Sequence, residues 1–458
     1  MESQQTSAEI NGNGNLPPGP KGVPILGNAL QLGREDILDT YLDMYRQYGD
    51  IVYLKLGPLD GYVLFNPEHV HHVLVKNQKN YIKGIGYDGF RLLVGQGLVT
   101  SDGELWRQQR RLMGPYFTPK AITQFSDMMV KITHEMLEDW GTIADRGETL
   151  VMDDHMLRLT MSIIGQAMFS IDLSEEMTEI GRAFEEAFGF IPTRTNAILP
   201  LSLPLPAHRR FQKNLEIIDE FIAQQIQAGR ENGGQDNLLG ILLQAKDEET
   251  GLEMSEEQLR DEVVTLFFAG FETTARSLTW GWYLLAKHPE VMSKLEAEAD
   301  RVIGMRVPQI DDLYNLPYTR MVVDETLRLY PPTALLARQN VEADEIGGYH
   351  IPPQSMIILV PYVVHRYPGM WSDPEQFDPE RFTQQASQDR PKSAYVPFAA
   401  GPRVCLGNNF ALMEMVYAFS MAAARFRVEM VSDGDIPYEF AGTIRPTRPL
   451  LVKVHNRH

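Results

Sequence analysis

The chain has 458 residues, 43% hydrophobic and 22% charged, enough apolar side chains for a large buried core. A formal net charge of −19 excludes nucleic acid and anionic lipid as bulk partners. With one cysteine there is no intramolecular disulfide to form, which suits a reducing, cytoplasmic compartment.

Residues 1–15 (MESQQTSAEINGNGN) are polar and lack an apolar run, so a disordered tail is expected there, with no secretory signal and no membrane anchor. Leu16-Pro17-Pro18-Gly19-Pro20 then opens an ordered domain expected over 16–458. Residues 51–65 read as two strands about a turn at Gly57-Pro58…Gly61. Lys83–Gly97, with five glycines, and Ile191–His208, with four prolines, read as mobile surface loops. Between them, Trp106 and Arg110 share a helix face at i and i+4. Apolar periodicity predicts helices over Pro119–Gly141, Val151–Phe169, Glu175–Phe188, Arg209–Gln227, Glu257–Lys287 and Pro289–Ile303. Further strands are expected at Ser355–Val364 and Leu450–Val454, giving a mainly α chain with a small β-rich lobe.

Ser255-Glu-Glu-Gln258 is a capping-box start for a helix that must stop at Lys287-His288-Pro289, about 45–50 Å at helical rise. Glu272 and Arg276 interrupt its apolar run and argue against a membrane span. Ala269-Gly270-Phe271-Glu272-Thr273-Thr274 is a weak helix former, so a kink is expected, with Thr273 bonding back one turn, or else a local widening. Glu325 and Arg328 then stand at i and i+3, followed by Tyr330-Pro331-Pro332 and, later, Asp378-Pro-Glu-Arg381-Phe382.

The lone Cys405 lies in Phe398-Ala-Ala-Gly401-Pro-Arg403-Val-Cys405-Leu-Gly407. Gly401 and Gly407 allow tight turning and close approach to a flat group, and Arg403 offers a permanent cation to a carboxylate. Loop amides aimed at the sulfur would favour the metal-binding thiolate. The pattern Phe-x-x-Gly-x-Arg-x-Cys-x-Gly is complete. On this signature the chain resembles the cytochrome P450 family of heme-thiolate monooxygenases.

The resemblance implies one large domain, with the long helix crossing over heme b. Cys405 would be the axial iron ligand in a loop that includes Phe398 and Gly407. Trp106, Arg110, Arg338 and Arg403 would hold the heme propionates. Ala269 and Gly270 would leave space for dioxygen, and Glu272 and Thr273 would relay protons. Glu325, Arg328 and Arg381 would form a structural ionic triad. The two mobile loops would line and gate a substrate pocket, walled by Tyr87, Phe90, Phe190, Phe267, Phe268, Phe271, Thr333, Ala334, Leu335, Gly442, Thr443 and Ile444.

The expected activity is insertion of one oxygen atom from O2 into a hydrophobic small molecule, terpenoid first and fatty acid or polyketide next. Electrons would come from NAD(P)H through a separate ferredoxin or flavodoxin and its reductase, since no reductase domain follows Cys405. Arg107 and Arg111 are then candidates to meet an acidic redox partner. The enzyme is expected to be a soluble bacterial monomer. The rivals are a peroxide-driven or rearranging heme-thiolate enzyme and a non-catalytic heme-binding sensor.

Overall fold

The computed structural model describes residues 16–32, 37–173, 177–194, 203, 205–231, 237–247, 249, 251, 253–432 and 434–457. The expected tail over 1–15 lies outside them, as do positions 195–202 and 204 of the proline-bearing stretch. Two compact units divide the chain: one combines 1–87, 334–374 and 391–404, the other 88–333, 375–390 and 405–458.

The first unit is built on a five-stranded sheet. Ile51–Leu56 and Leu59–Leu64 form an antiparallel hairpin, with Ile51 opposite Leu64. Gly57 makes the turn at φ +60°. Leu59–Leu64 then pairs parallel with Met356–Leu359, which pairs antiparallel with Leu336–Asn340, and Tyr81–Ile82 closes the edge. The expected strand Ser355–Val364 is shorter than its apolar run, because Pro361 starts a helical turn, Pro361–Val364. A cluster of Ile51, Tyr62, Val73, Leu74, Tyr81, Ile346, Ile351, Ile357 and Val396 fills this unit, and Ala399 and Ala400 pack against it.

The second unit is helical, with Ser126–Arg146, Met152–Phe169, Met177–Arg194, Pro206–Glu231, Pro289–Val302, Pro317–Leu329 and Asn408–Arg425 around the long helix Glu256–Lys287. Ser255 Oγ accepts the Gln258 N–H at 3.1 Å to start the long helix, and the chain leaves it at His288, before Pro289. Most of this helix is buried. The exceptions at its middle are Leu266, Ala269, Gly270 and Thr273, at i, i+3, i+4 and i+7, so one face alone stays accessible there.

Two expectations need correction. The helix does not widen at Ala269–Thr274 but stays continuous α-helix, and the expected back-bond forms, Thr273 Oγ1 donating to the Ala269 carbonyl at 2.9 Å and Ser277 Oγ to that of Thr273 at 2.9 Å. Widening occurs instead at His72–Lys76, a π-helical turn in which Asn77 N–H reaches the His72 carbonyl at 2.8 Å. Lys83–Gly97 is not a plain loop either, since Gly84–Tyr87 is a 3₁₀ turn and Asp88–Val94 an α-helix.

Candidate heme-thiolate site

Local backbone geometry prepares the cysteine loop. Ala399 and Gly401 adopt φ of +58° and +69°. A Cβ on Gly401 would stand 2.1 Å from the Leu74 carbonyl oxygen, so only glycine fits there. Gly407 is different. Its φ of −84° suits any residue and a Cβ built on it meets nothing within 4 Å, so backbone strain does not account for it.

Cys405 is exposed, yet enough protein surrounds its sulfur that desolvation pushes the thiol pKa up. The Gly407 N–H and the Arg110 cation pull the other way. Arg110 is in turn lowered by burial, with the cysteine opposing that shift. Trp106 and Arg110 are half-buried on the helix Gly103–Met113, whose Gln109, Leu112 and Met113 are buried.

Arg338 is 3% exposed, and among the described residues no carboxylate pairs with it. Its Nη1 meets only the Ala337 carbonyl at 2.7 Å and the Tyr87 hydroxyl at 3.5 Å. A buried guanidinium without an anion is strongly disfavoured. In the second unit, the thiol with an N–H and a cation beside it and clear space over Gly407 suits an iron porphyrin; in the first, the buried Arg338 cation by itself suits a carboxylate.

Glu272 takes a direction that its neighbour does not share. It is 1% exposed and accepts from Arg276 Nε at 3.0 Å and from Thr443 Oγ1 at 3.0 Å. Arg276 also pairs with Glu185 and lies 3.9 Å from Asp153. Burial works against the Arg276 charge, but Glu272 and Glu185 outweigh it and raise its pKa. Burial also raises Asp153. Thr273 Oγ1 faces Ala269 instead, so no direct hydrogen bond joins the two candidate relay residues. Arg276 was legible as the i+4 partner of Glu272, although it had served only to exclude a membrane span.

Glu325 and Arg328 are fully buried and joined by two bonds, of 2.6 and 2.8 Å. Arg381 Nε approaches Glu325 at 3.4 Å, and Glu325 also accepts the Asp378 N–H at 2.9 Å. Arg107 bonds Glu104 at 2.7 Å. Arg111 holds the fully buried Asp247 at 3.1 Å.

The aromatic candidates divide by burial. Phe267 and Phe271 are core, packed against Phe184 at 5.5 and 5.8 Å, and Ala334, Thr443 and Ile444 are buried too. Phe268 lies against Phe188 at 4.5 Å, with half-buried Phe90 edge-on to that ring at 5.7 Å. Phe190 stacks on Phe211 at 4.6 Å, Tyr87 is nearly buried beneath Lys83, and Thr333 and Leu335 stay half-buried. Gly270 packs tightly, since a Cβ there would sit 2.6 Å from Ile164 Cδ1.

A mainly helical fold that offers one thiol, in a loop held tight at Gly401 and open at Gly407, is compatible with a heme-thiolate protein. The cytochrome P450 family model matches residues 17–454, and the chain belongs to that family. It is 34% identical over 419 residues to cyclooctatin synthase of Streptomyces melanosporofaciens, covering 90% of each chain. It is also 34% identical to cyclooctat-9-en-7-ol 5-monooxygenase of the same organism, over 90% of this chain and 89% of the relative. The crystal structure of the cytochrome P450DA heme domain superposes with a TM-score of 0.88 at 27% identity, covering 96% of this chain and 98% of that one. The protein is thus a heme b monooxygenase that takes a hydrophobic substrate and draws electrons from NAD(P)H through redox partners. No helix among the described residues is long and apolar enough to cross a membrane.

Proposed function

We propose that the chain hydroxylates a cyclic terpenoid of mostly hydrocarbon surface: RH + O2 + two electrons + two protons gives ROH + H2O. The observation that carries this reading is the likeness, across nine-tenths of both chains, to an enzyme named for a cyclic alkenol. The accessible face Leu266–Ala269–Gly270–Thr273 supports it, being apolar except for one hydroxyl.

Heme b bound here would supply dioxygen activation, aided by electron push from a thiolate. Cys405 provides that thiolate, and the Gly407 N–H and Arg110 hold its negative charge. Arg338, Arg403, Trp106 and Arg110 would hold the carboxylates of the group, and Phe398 would flank the loop. Thr273 holds a proton at Oγ1 and can release it by turning from the Ala269 carbonyl. Glu272 serves as a proton source only once it parts from Arg276 and Thr443. Glu325, Arg328 and Arg381 stay structural. Electrons arrive from a ferredoxin or flavodoxin, and the enzyme works as a cytoplasmic monomer.

The test uses holoenzyme with a surrogate ferredoxin, its reductase and NAD(P)H, and cyclooctat-9-en-7-ol as the probe. Product should gain one oxygen atom, labelled from 18O2, and Cys405→Ser should abolish its formation. Product formed with peroxide but never with NAD(P)H would replace this reading by a peroxide-driven one.

A further inference from the structure

The π-helical turn His72–Lys76 belongs to no step described so far, yet it touches the most constrained point of the cysteine loop. Its Leu74 carbonyl is the group a Cβ on Gly401 would strike at 2.1 Å, and Val75 Cα is the next neighbour at 3.5 Å. A π turn carries one residue more than an α turn and survives only where surrounding contacts hold it. Those contacts converge on one carboxylate. Asp344 Oδ2 receives His72 Nε2 at 2.8 Å, Asn77 Nδ2 at 3.0 Å and the Tyr81 hydroxyl, while Oδ1 takes the Glu345 N–H at 2.8 Å. His72 and Asn77 stand at the two ends of the turn, so their shared acceptor closes it like a clasp. Burial alone would raise the Asp344 pKa, but the Tyr81, His72 and Asn77 donors more than offset it and leave the carboxyl below its ordinary range.

The parts also share a core. Val73 and Leu74 from the turn, Ile346 and Ile351 from the Asp344 hairpin and Val396 ahead of the loop lie in one apolar cluster, with Ala399 and Ala400 against it. A displaced turn would therefore move the surface on which the loop backbone rests.

We propose that Asp344 is a positioning residue for the thiolate: by gathering His72, Asn77 and Tyr81 on one oxygen it holds the π turn against Gly401, and so fixes the backbone that leads, four residues on, to Cys405. The inference rests on the reading of Cys405 as heme ligand, which the experiment tests separately.

Asp344→Asn keeps the shape of the residue and removes the charge that collects three donors. Two readouts are taken against the parent and against Tyr53→Phe, which loses the 2.7 Å bond to Asp60 in the same unit. Hydrogen exchange of the Ala399 and Val404 amides, bonded to Val396 and Gly401, should rise about tenfold in Asp344→Asn and stay unchanged in Tyr53→Phe. The reduced carbon monoxide complex of Asp344→Asn holoprotein should lose part of its thiolate-type absorption, and Tyr81→Phe should show a smaller loss in the same direction. Unaltered exchange and spectrum in both Asp344→Asn and Tyr81→Phe would overturn the proposal, as would equal changes in Tyr53→Phe. A parent holoprotein without thiolate-type absorption would overturn the ligand reading itself, and this inference with it.

Discussion

Glu262 lies seven residues before Ala269 on none of the recognised motifs, and it is the residue whose chemistry departs furthest from its sequence appearance. It is completely buried, accepts the Leu98 N–H at 3.1 Å through Oε2, and among the described residues Oε1 has no hydrogen bond of good geometry. Desolvation, helped by the neighbouring Asp261 charge and opposed by the Leu98 N–H and Gln109, pushes its pKa up to about 8. The folded state thus binds this proton more tightly than the unfolded chain does. Its stabilising contribution is present below the ordinary carboxyl range and is lost as pH rises through about 8. Glu262→Gln should therefore flatten the decline in stability between pH 5 and 8, leaving the variant the more stable by a few kcal/mol, or about 1.4 per pKa unit, at the alkaline end. Denaturant unfolding at several pH values checks this, and parallel curves for parent and variant would contradict it. Nothing local in the sequence announces such a residue. A glutamate beside Asp261 near a helix start reads as solvated, and only the arrival of Gln96 and Leu98 from 165 and 164 residues away shows otherwise.

Among the elements, the stretch Lys83–Gly97 shows where sequence reasoning fails and why. Its five glycines suggested mobility, yet most of them mark close approach. A Cβ on Gly86 would meet the Ala337 Cβ at 2.5 Å, one on Gly89 the Ile191 Cγ2 at 3.0 Å, and one on Gly97 the Thr265 Oγ1 at 2.0 Å and the Asp261 carbonyl at 2.8 Å. Contacts of this kind depend on residues distant in the chain, so a local pattern cannot distinguish them from loop glycine. Gly97→Ala should cost about 1–3 kcal/mol through overpacking on the long helix, read as a lowered thermal midpoint. A variant as stable as the parent would show that this segment is loosely held. The long helix itself was legible from end to end, because Ser255 and Pro289 are local signals of start and stop. Its interior was partly so: the back-bond expected of Thr273 forms, while the close packing of Gly270 on Ile164 depends on a distant helix.

For the molecule as a whole, the family was legible in ten residues around Cys405, and the match over 17–454 carries it along the chain. Its balance of helix and sheet was likewise visible from periodicity. Of the ionic interior, the Glu325–Arg328–Arg381 group was legible, whereas the Asp153 and Glu185 partners of Arg276 were not, since they come from two other helices. A group bound only by the folded chain adds to stability in proportion to its saturation, about 4 kcal/mol at a thousand times its dissociation constant. Extracting heme should therefore lower the calorimetric midpoint by several degrees and make it depend on added heme. Identical midpoints with and without heme would mean that the group contributes nothing to holding the fold.

The bare strip Leu266–Ala269–Gly270–Thr273 has an evolutionary corollary. Gly270 rests on Ile164 while residues on the other sides of the helix are locked in the core, so this strip cannot be reshaped without disturbing its neighbours. New appetites in such an enzyme should arise more readily by varying half-buried Phe90, Thr333 and Leu335 than by varying the helix, and a directed-evolution library would be best spent there.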